Sequence, residues 1–151
     1  MTDLNSVDEI LNFAIDREQE AVDFYTDLAG KAKSPAMQAT FRQFAGEEAG
    51  HKAKLLGVKG GKRMLGSQAK VQDLKLADYM VDEQPGADLD YQGALILAMK
   101  KEKAAFRLYS DLAVMVEDEA IRELLLGLAQ EEARHKLRFE VEYDDNVLTE
   151  N

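Results

Sequence analysis

The chain has 151 residues, 46% of them hydrophobic, with a net charge of −10 and no cysteine. That length suits a single domain, residues 1–151, with a substantial core. The acidic balance argues against nucleic acid as a partner, and the missing thiols exclude disulfides, thiol catalysis and cysteine-held zinc or iron–sulfur centres.

The first residues, Met1 to Asp8, carry acids and no basic leader region, and no apolar run reaches the length of a membrane span. A soluble cytoplasmic protein without a membrane partner is the expectation. Ser6 followed by Glu9 reads as a capping box. Ile10, Leu11, Ala14, Ala21, Tyr25 and Leu28 then recur at helical spacing. Gly30 to Ser34 breaks this helix, and Ser34-Pro35 starts a second with serine as cap and proline at the first position. Met37, Phe41, Phe44 and Leu55 mark its apolar face, and Gly57, Gly60, Gly61 and Gly66 are expected to end it. The first hairpin thus covers about residues 6–56.

Residues 57–88 form the crossover. Within it Val71 to Val81 fits a short helix, and Gln84-Pro85-Gly86 is a turn signal. A third helix is expected from Asp88 or Asp90, through Leu95, Ala98, Ala105, Tyr109 and Leu112. Asp118 caps a fourth, with Ile121, Leu124, Leu125, Leu128 and Phe139 facing inward. The second hairpin then spans about 89–143, followed by a short polar tail, 144–151.

The second hairpin repeats the first. Glu18, Glu48 and His51 recur as Glu102, Glu132 and His135, each 84 positions later. Aligned at that offset, residues 18–55 and 102–139 share 13 identities, which points to a duplication rather than chance. A lone hairpin cannot cover its apolar face, so two must pack together. The expected fold is all-α: an antiparallel four-helix bundle of two duplicated hairpins joined by a long crossover.

Within each hairpin the two glutamates lie 15 residues from the turn, so they stand at matching heights. All four interrupt apolar stripes, and each histidine lies one turn beyond a glutamate on the same face. Four buried carboxylates would be severely unfavourable alone, whereas two divalent cations offset their charge and neutral imidazoles complete the coordination. The expected metal ligands are Glu18, Glu48, His51, Glu102, Glu132 and His135. Carboxylate mixed with imidazole suits iron or manganese and can also hold zinc. A duplicated bundle that keeps these residues without metal is the blander reading. Tyr25 and Tyr109 follow the first ligand of each hairpin by seven residues. They read either as core aromatics or as hydroxyl partners of the ligand carboxylates. Glu20, Glu47 and Glu131 are expected to face solvent, with Lys52 and Lys136 also on the surface.

The strings Glu47-Glu48-Ala49-Gly50-His51 and Glu131-Glu132-Ala133-Arg134-His135, with Glu18…Tyr25 and Glu102…Tyr109, resemble the ferritin-like superfamily, most closely its rubrerythrin-like branch. The resemblance covers roughly residues 6–143. It implies two iron ions bridged by Glu48 and Glu132, with Glu18 and Glu102 terminal. It also implies reaction of iron(II) with hydrogen peroxide or dioxygen, as a peroxidase or ferroxidase. The alternative is iron binding or storage without turnover. Rubrerythrins with a rubredoxin-type domain use four cysteines that this chain lacks, so electrons would come from a separate donor or from substrate iron. Rubrerythrins also carry a further glutamate where Ala105 stands here, which leaves a symmetric site of the bacterioferritin type. Only about eight residues are expected beyond the fourth helix, too few for the fifth helix that helps build storage cages. A homodimer is the expected assembly.

Overall fold

The computed structural model describes residues 3–4, 7–61, 74–75, 79, 81 and 90–150. Among them four long helices dominate: α1 (Val7–Lys31), α2 (Pro35–Gly61), α3 (Tyr91–Met115) and α4 (Glu119–Glu150). Two-residue strands β1 (Asp3–Leu4) and β2 (Leu74–Lys75) pair antiparallel, Asp3 with Lys75 and Leu4 with Leu74. The architecture is the all-α four-helix bundle that the duplicated hairpins predict.

Local chemistry sets the helix starts. The Pro35 ring opens α2, and Ser34 Oγ accepts from the Met37 amide at 3.4 Å. Asp90 caps α3 through the Gly93 amide at 2.7 Å, and Asp118 caps α4 through the Ile121 amide at 3.1 Å. Each satisfies an amide that has no partner within its own helix. The Ser6 capping box, the 84–86 turn and the alternative start at Asp88 lie outside the described residues.

Three expectations change. The second helix runs past Gly57 and Gly60 to Gly61. Leu55 and Val58 explain this: both are buried in one core with Ile10 and Leu11. A methyl added at Gly57 or Gly60 would meet nothing within 4 Å, so these glycines cost only helix propensity, roughly 1 kcal/mol each. The fourth helix absorbs the expected tail and continues to Glu150. Tyr91 holds it late in its course by donating to Glu142 Oε2 at 2.7 Å, and Tyr143 packs on the core. In the span Val71–Val81, residues Leu74–Lys75 are extended against β1 rather than helical. Pairing with a distant segment overrides the local pattern there.

The core falls into two parts. One gathers Ile10, Leu11 and Ala14 of α1, Leu55 of α2, Leu112 of α3 and Leu125 of α4. The other gathers Leu28, Phe41, Leu95 and Phe139. Each helix crosses from one part to the other, and at every crossing stands one of the repeated glutamates.

Candidate metal centre

Glu18, Glu48, His51, Glu102, Glu132 and His135 are all buried, none more than 3% exposed. Among the described residues they are the buried polar and charged side chains, tyrosines aside. The structure therefore brings together every ligand candidate that the repeat points to. Their atoms form two groups. Ligand-type atoms of Glu18, Glu48, His51 and Glu132 lie within 4.8 Å of one another, and so do those of Glu48, Glu102, Glu132 and His135. Glu48 and Glu132 belong to both groups.

The hydrogen bonds keep the two-fold pattern of the sequence. The Tyr109 hydroxyl donates to Glu18 Oε2 at 2.8 Å, and the Tyr25 hydroxyl donates to Glu102 Oε1. Each tyrosine thus holds the first glutamate of the other hairpin. His51 Nε2 meets Glu131 Oε2 at 2.6 Å, and His135 Nε2 meets Glu47 Oε2 at 3.0 Å, again across hairpins. Glu47 and Glu131 are therefore not simply solvent-facing, as their sequence position suggests; they are half-buried partners of the imidazoles. Lys52 reaches Gln19 Oε1 at 2.7 Å, and Lys136 pairs with Glu140 at 2.6 Å. Glu20 is exposed, as expected, and pairs with Arg17.

An imidazole that donates from Nε2 keeps its lone pair on Nδ1. Both Nδ1 atoms face carboxylates: His51 Nδ1 lies 3.0 Å from Glu18 Oε2 and 2.9 Å from Glu132 Oε1, and His135 Nδ1 lies 2.9 Å from Glu48 Oε1. Lone pairs opposing lone pairs at this distance repel unless a proton or a cation intervenes. Both oxygens of Glu48, together with Glu102 Oε2, Glu132 Oε1 and His135 Nδ1, are buried without a hydrogen-bond partner. The 2.9 Å approach of His135 to Glu48 is close but lacks hydrogen-bond alignment. Such orphaned atoms are costly, and a cation bound among them would remove the cost. The donor set fits a metal: hard oxygens and imidazole nitrogens, converging and buried.

Without a cation, protons take that role. Burial pushes Glu18, Glu102 and Glu132 above the usual carboxylate range, with the Glu48 charge adding to the effect. Burial works the same way on Glu48, but the close approach of Glu18 and of the two histidines outweighs it and holds Glu48 well below that range. Burial alone would lower both imidazoles, yet the facing carboxylates raise His51 and His135 to about 10. Tyr25 and Tyr109 are pushed well above the usual phenol value by burial and by the surrounding acids, so their hydroxyls stay protonated donors.

The family model described as Rubrerythrin matches residues 9–143. The chain belongs to the rubrerythrin family. No curated protein matches it. A solved structure of a hypothetical protein from Pyrococcus furiosus is 28% identical, with a TM-score of 0.73; the match covers 92% of this chain and 89% of that one. Rubrerythrin membership and the buried cluster together point to metal binding at this carboxylate and histidine site. Among the described residues no helix is long and apolar enough to cross a membrane.

Two features of the rubrerythrin-like site escaped the sequence. Glu47 and Glu131 were visible in principle, because they recur at the same 84-residue offset as the ligand candidates. Tyr79, buried beside the site and donating to Asp111 Oδ2 at 2.6 Å, has no counterpart in the repeat and no local signal.

Proposed function

We propose that this chain is a di-iron carboxylate oxidoreductase of the rubrerythrin type, reacting with hydrogen peroxide or dioxygen. The observation that carries the reading is the sharing of Glu48 and Glu132 between two overlapping four-residue groups, with both Glu48 oxygens and Glu132 Oε1 lacking a hydrogen-bond partner. On this reading Glu48 and Glu132 would serve both metals, with Glu18 and His51 holding one and Glu102 and His135 the other. Two iron(II) ions held there would supply two electrons, which with two protons convert hydrogen peroxide to two waters.

The protein's own part is positional. Tyr109 and Tyr25 fix the orientation of Glu18 and Glu102. Glu131 and Glu47 accept hydrogen bonds from Nε2 of His51 and His135, leaving both Nδ1 atoms turned inward. The apolar layers on either side exclude bulk water. A separate donor would re-reduce the site, because the sequence has no cysteine for a rubredoxin-type centre. A cytoplasmic homodimer is the assembly that accompanies this proposal.

The test is direct. Purified protein is loaded with iron(II) under anaerobic conditions, hydrogen peroxide is added, and absorbance is followed. Oxidation faster than that of free iron(II) is expected. A rate equal to that of free iron would sink the enzymatic reading.

A further inference from the structure

A cavity of about 90 Å³ lies between α1 and α3 and opens onto the acidic cluster. Glu18, Glu102, Glu132 and Tyr109 form its inner wall, so it meets both four-residue groups. Small side chains make the sides: Ala21 on α1, with Ala104 and Ala105 on α3. The rim carries Arg17, Glu20 and Lys101, and Glu20 is exposed. From outside the four helices Tyr79, together with Val81, completes the lining, and Tyr79 is the larger of the two. Tyr79 is 4% exposed and belongs to the core cluster of Leu108 and Leu112, with its hydroxyl anchored on Asp111 of α3.

We propose that this cavity is the reactant's pocket and that Tyr79 sets its size limit, admitting hydrogen peroxide or dioxygen and excluding bulky alkyl hydroperoxides. This rests on the metal-site reading of the preceding section. The space has room for a few water-sized molecules, and so for hydrogen peroxide or dioxygen. On the other face of the cluster the imidazoles are covered. His135 is covered there by Phe44, whose ring stacks on it at 4.1 Å and 24°. Glu47 and Glu131 close over the two imidazoles on the α2 and α4 side. The small residues at 21, 104 and 105 leave the space, and the phenol ring bounds it. Tyr79 is a specificity-determining residue that touches the space without contributing a ligand.

Cobalt(II) gives a redox-silent readout. The protein is loaded with cobalt(II), titrated with formate or with benzoate, and the visible d–d bands are followed for wild type, Tyr79→Ala and Ala105→Leu. Thermal melting confirms that each variant is folded. In wild type, formate should shift the bands and benzoate should not. Tyr79→Ala should bind benzoate roughly tenfold or more tightly than wild type does. Ala105→Leu, which fills the space, should lose the formate response. In iron-loaded protein, Tyr79→Ala should gain oxidation by cumene hydroperoxide, roughly tenfold or more over wild type. Cobalt uptake with the same size discrimination in all three proteins would overturn the pocket assignment and leave the metal reading standing. Failure to take up cobalt or iron at all would overturn both.

Discussion

Glu47 and Glu131 show how a residue can look ordinary in sequence and act through its neighbour. Each is partly exposed, at a position where a helical pattern expects solvent, yet each holds a histidine of the opposite hairpin. Carboxylate partners of this kind fix the imidazole tautomer and ring orientation. Glu131→Gln should therefore lower metal affinity by roughly 10–100-fold while leaving the fold intact, as read by competition with a chromophoric chelator. Glu47→Gln should do the same through His135. Binding should also expel protons. Both imidazoles sit at about 10 in the metal-free protein, so they are charged at neutral pH and must release protons before Nδ1 can ligate. Calorimetry in buffers of different protonation enthalpy should count roughly two or more protons per pair of metals bound. A count near zero would mean that the histidines are not ligands. The six inward polar residues were legible because they interrupt apolar stripes twice at one offset. Glu47 and Glu131 recur at that offset too but interrupt no apolar stripe, and the imidazoles they hold lie 88 and 80 residues away.

At the scale of the element, the four helices were readable from caps and stripes, and their ends were less so. Asp118 caps as the sequence predicts, and Asp90, one of the two starts offered for the third helix, does the same, each accepting from the amide three residues on. Asp90→Ala should cost about 1 kcal/mol, and Asp118→Ala a similar amount. For a chain of this size that lowers the melting temperature by roughly 2–4 °C, measurable by circular dichroism. A fall much larger than this would assign Asp90 a tertiary role that its exposed position does not provide. The continuation of α2 through Gly57 and Gly60 was hidden for an energetic reason. Glycine propensity is local and visible, whereas burial of Val58 against α1 depends on the packed hairpin. The β1–β2 pairing is harder still, since it joins segments some 70 residues apart and each strand is only two residues long. Nothing in either segment names the other.

At the scale of the whole molecule, the bundle is two hairpins that agree on chemistry and differ in packing. Phe24, Phe41 and Phe44 share a core cluster with Tyr25, whereas the positions 84 residues later, Leu108, Leu125 and Leu128, share the other cluster with Tyr109. The repeat tolerates that exchange because a core needs volume, but it keeps the acids and imidazoles because they must meet at one centre. That centre couples stability to pH and to metal. In the metal-free protein the raised histidines stabilise the fold fully below their ordinary value of 6.5, and this is lost as pH rises through about 10. Glu18, Glu102 and Glu132, also raised, act in the same direction: stability present below their ordinary 4.5 is lost as pH climbs. Glu48 is lowered and has the opposite sign, its contribution fading only on acidification. The sum predicts that the metal-free melting temperature falls between pH 7 and pH 10, because deprotonation leaves like charges facing one another at the bundle's midpoint. Bound cations replace those protons, so the metal-loaded protein should lose little over the same range. At a free metal concentration 100 times Kd, each site adds about 2.7 kcal/mol of stability. Calorimetric melts with and without chelator across this range would decide the matter. A metal-free protein that grew more stable toward pH 10 would mean that the four carboxylates do not depend on shared positive charge.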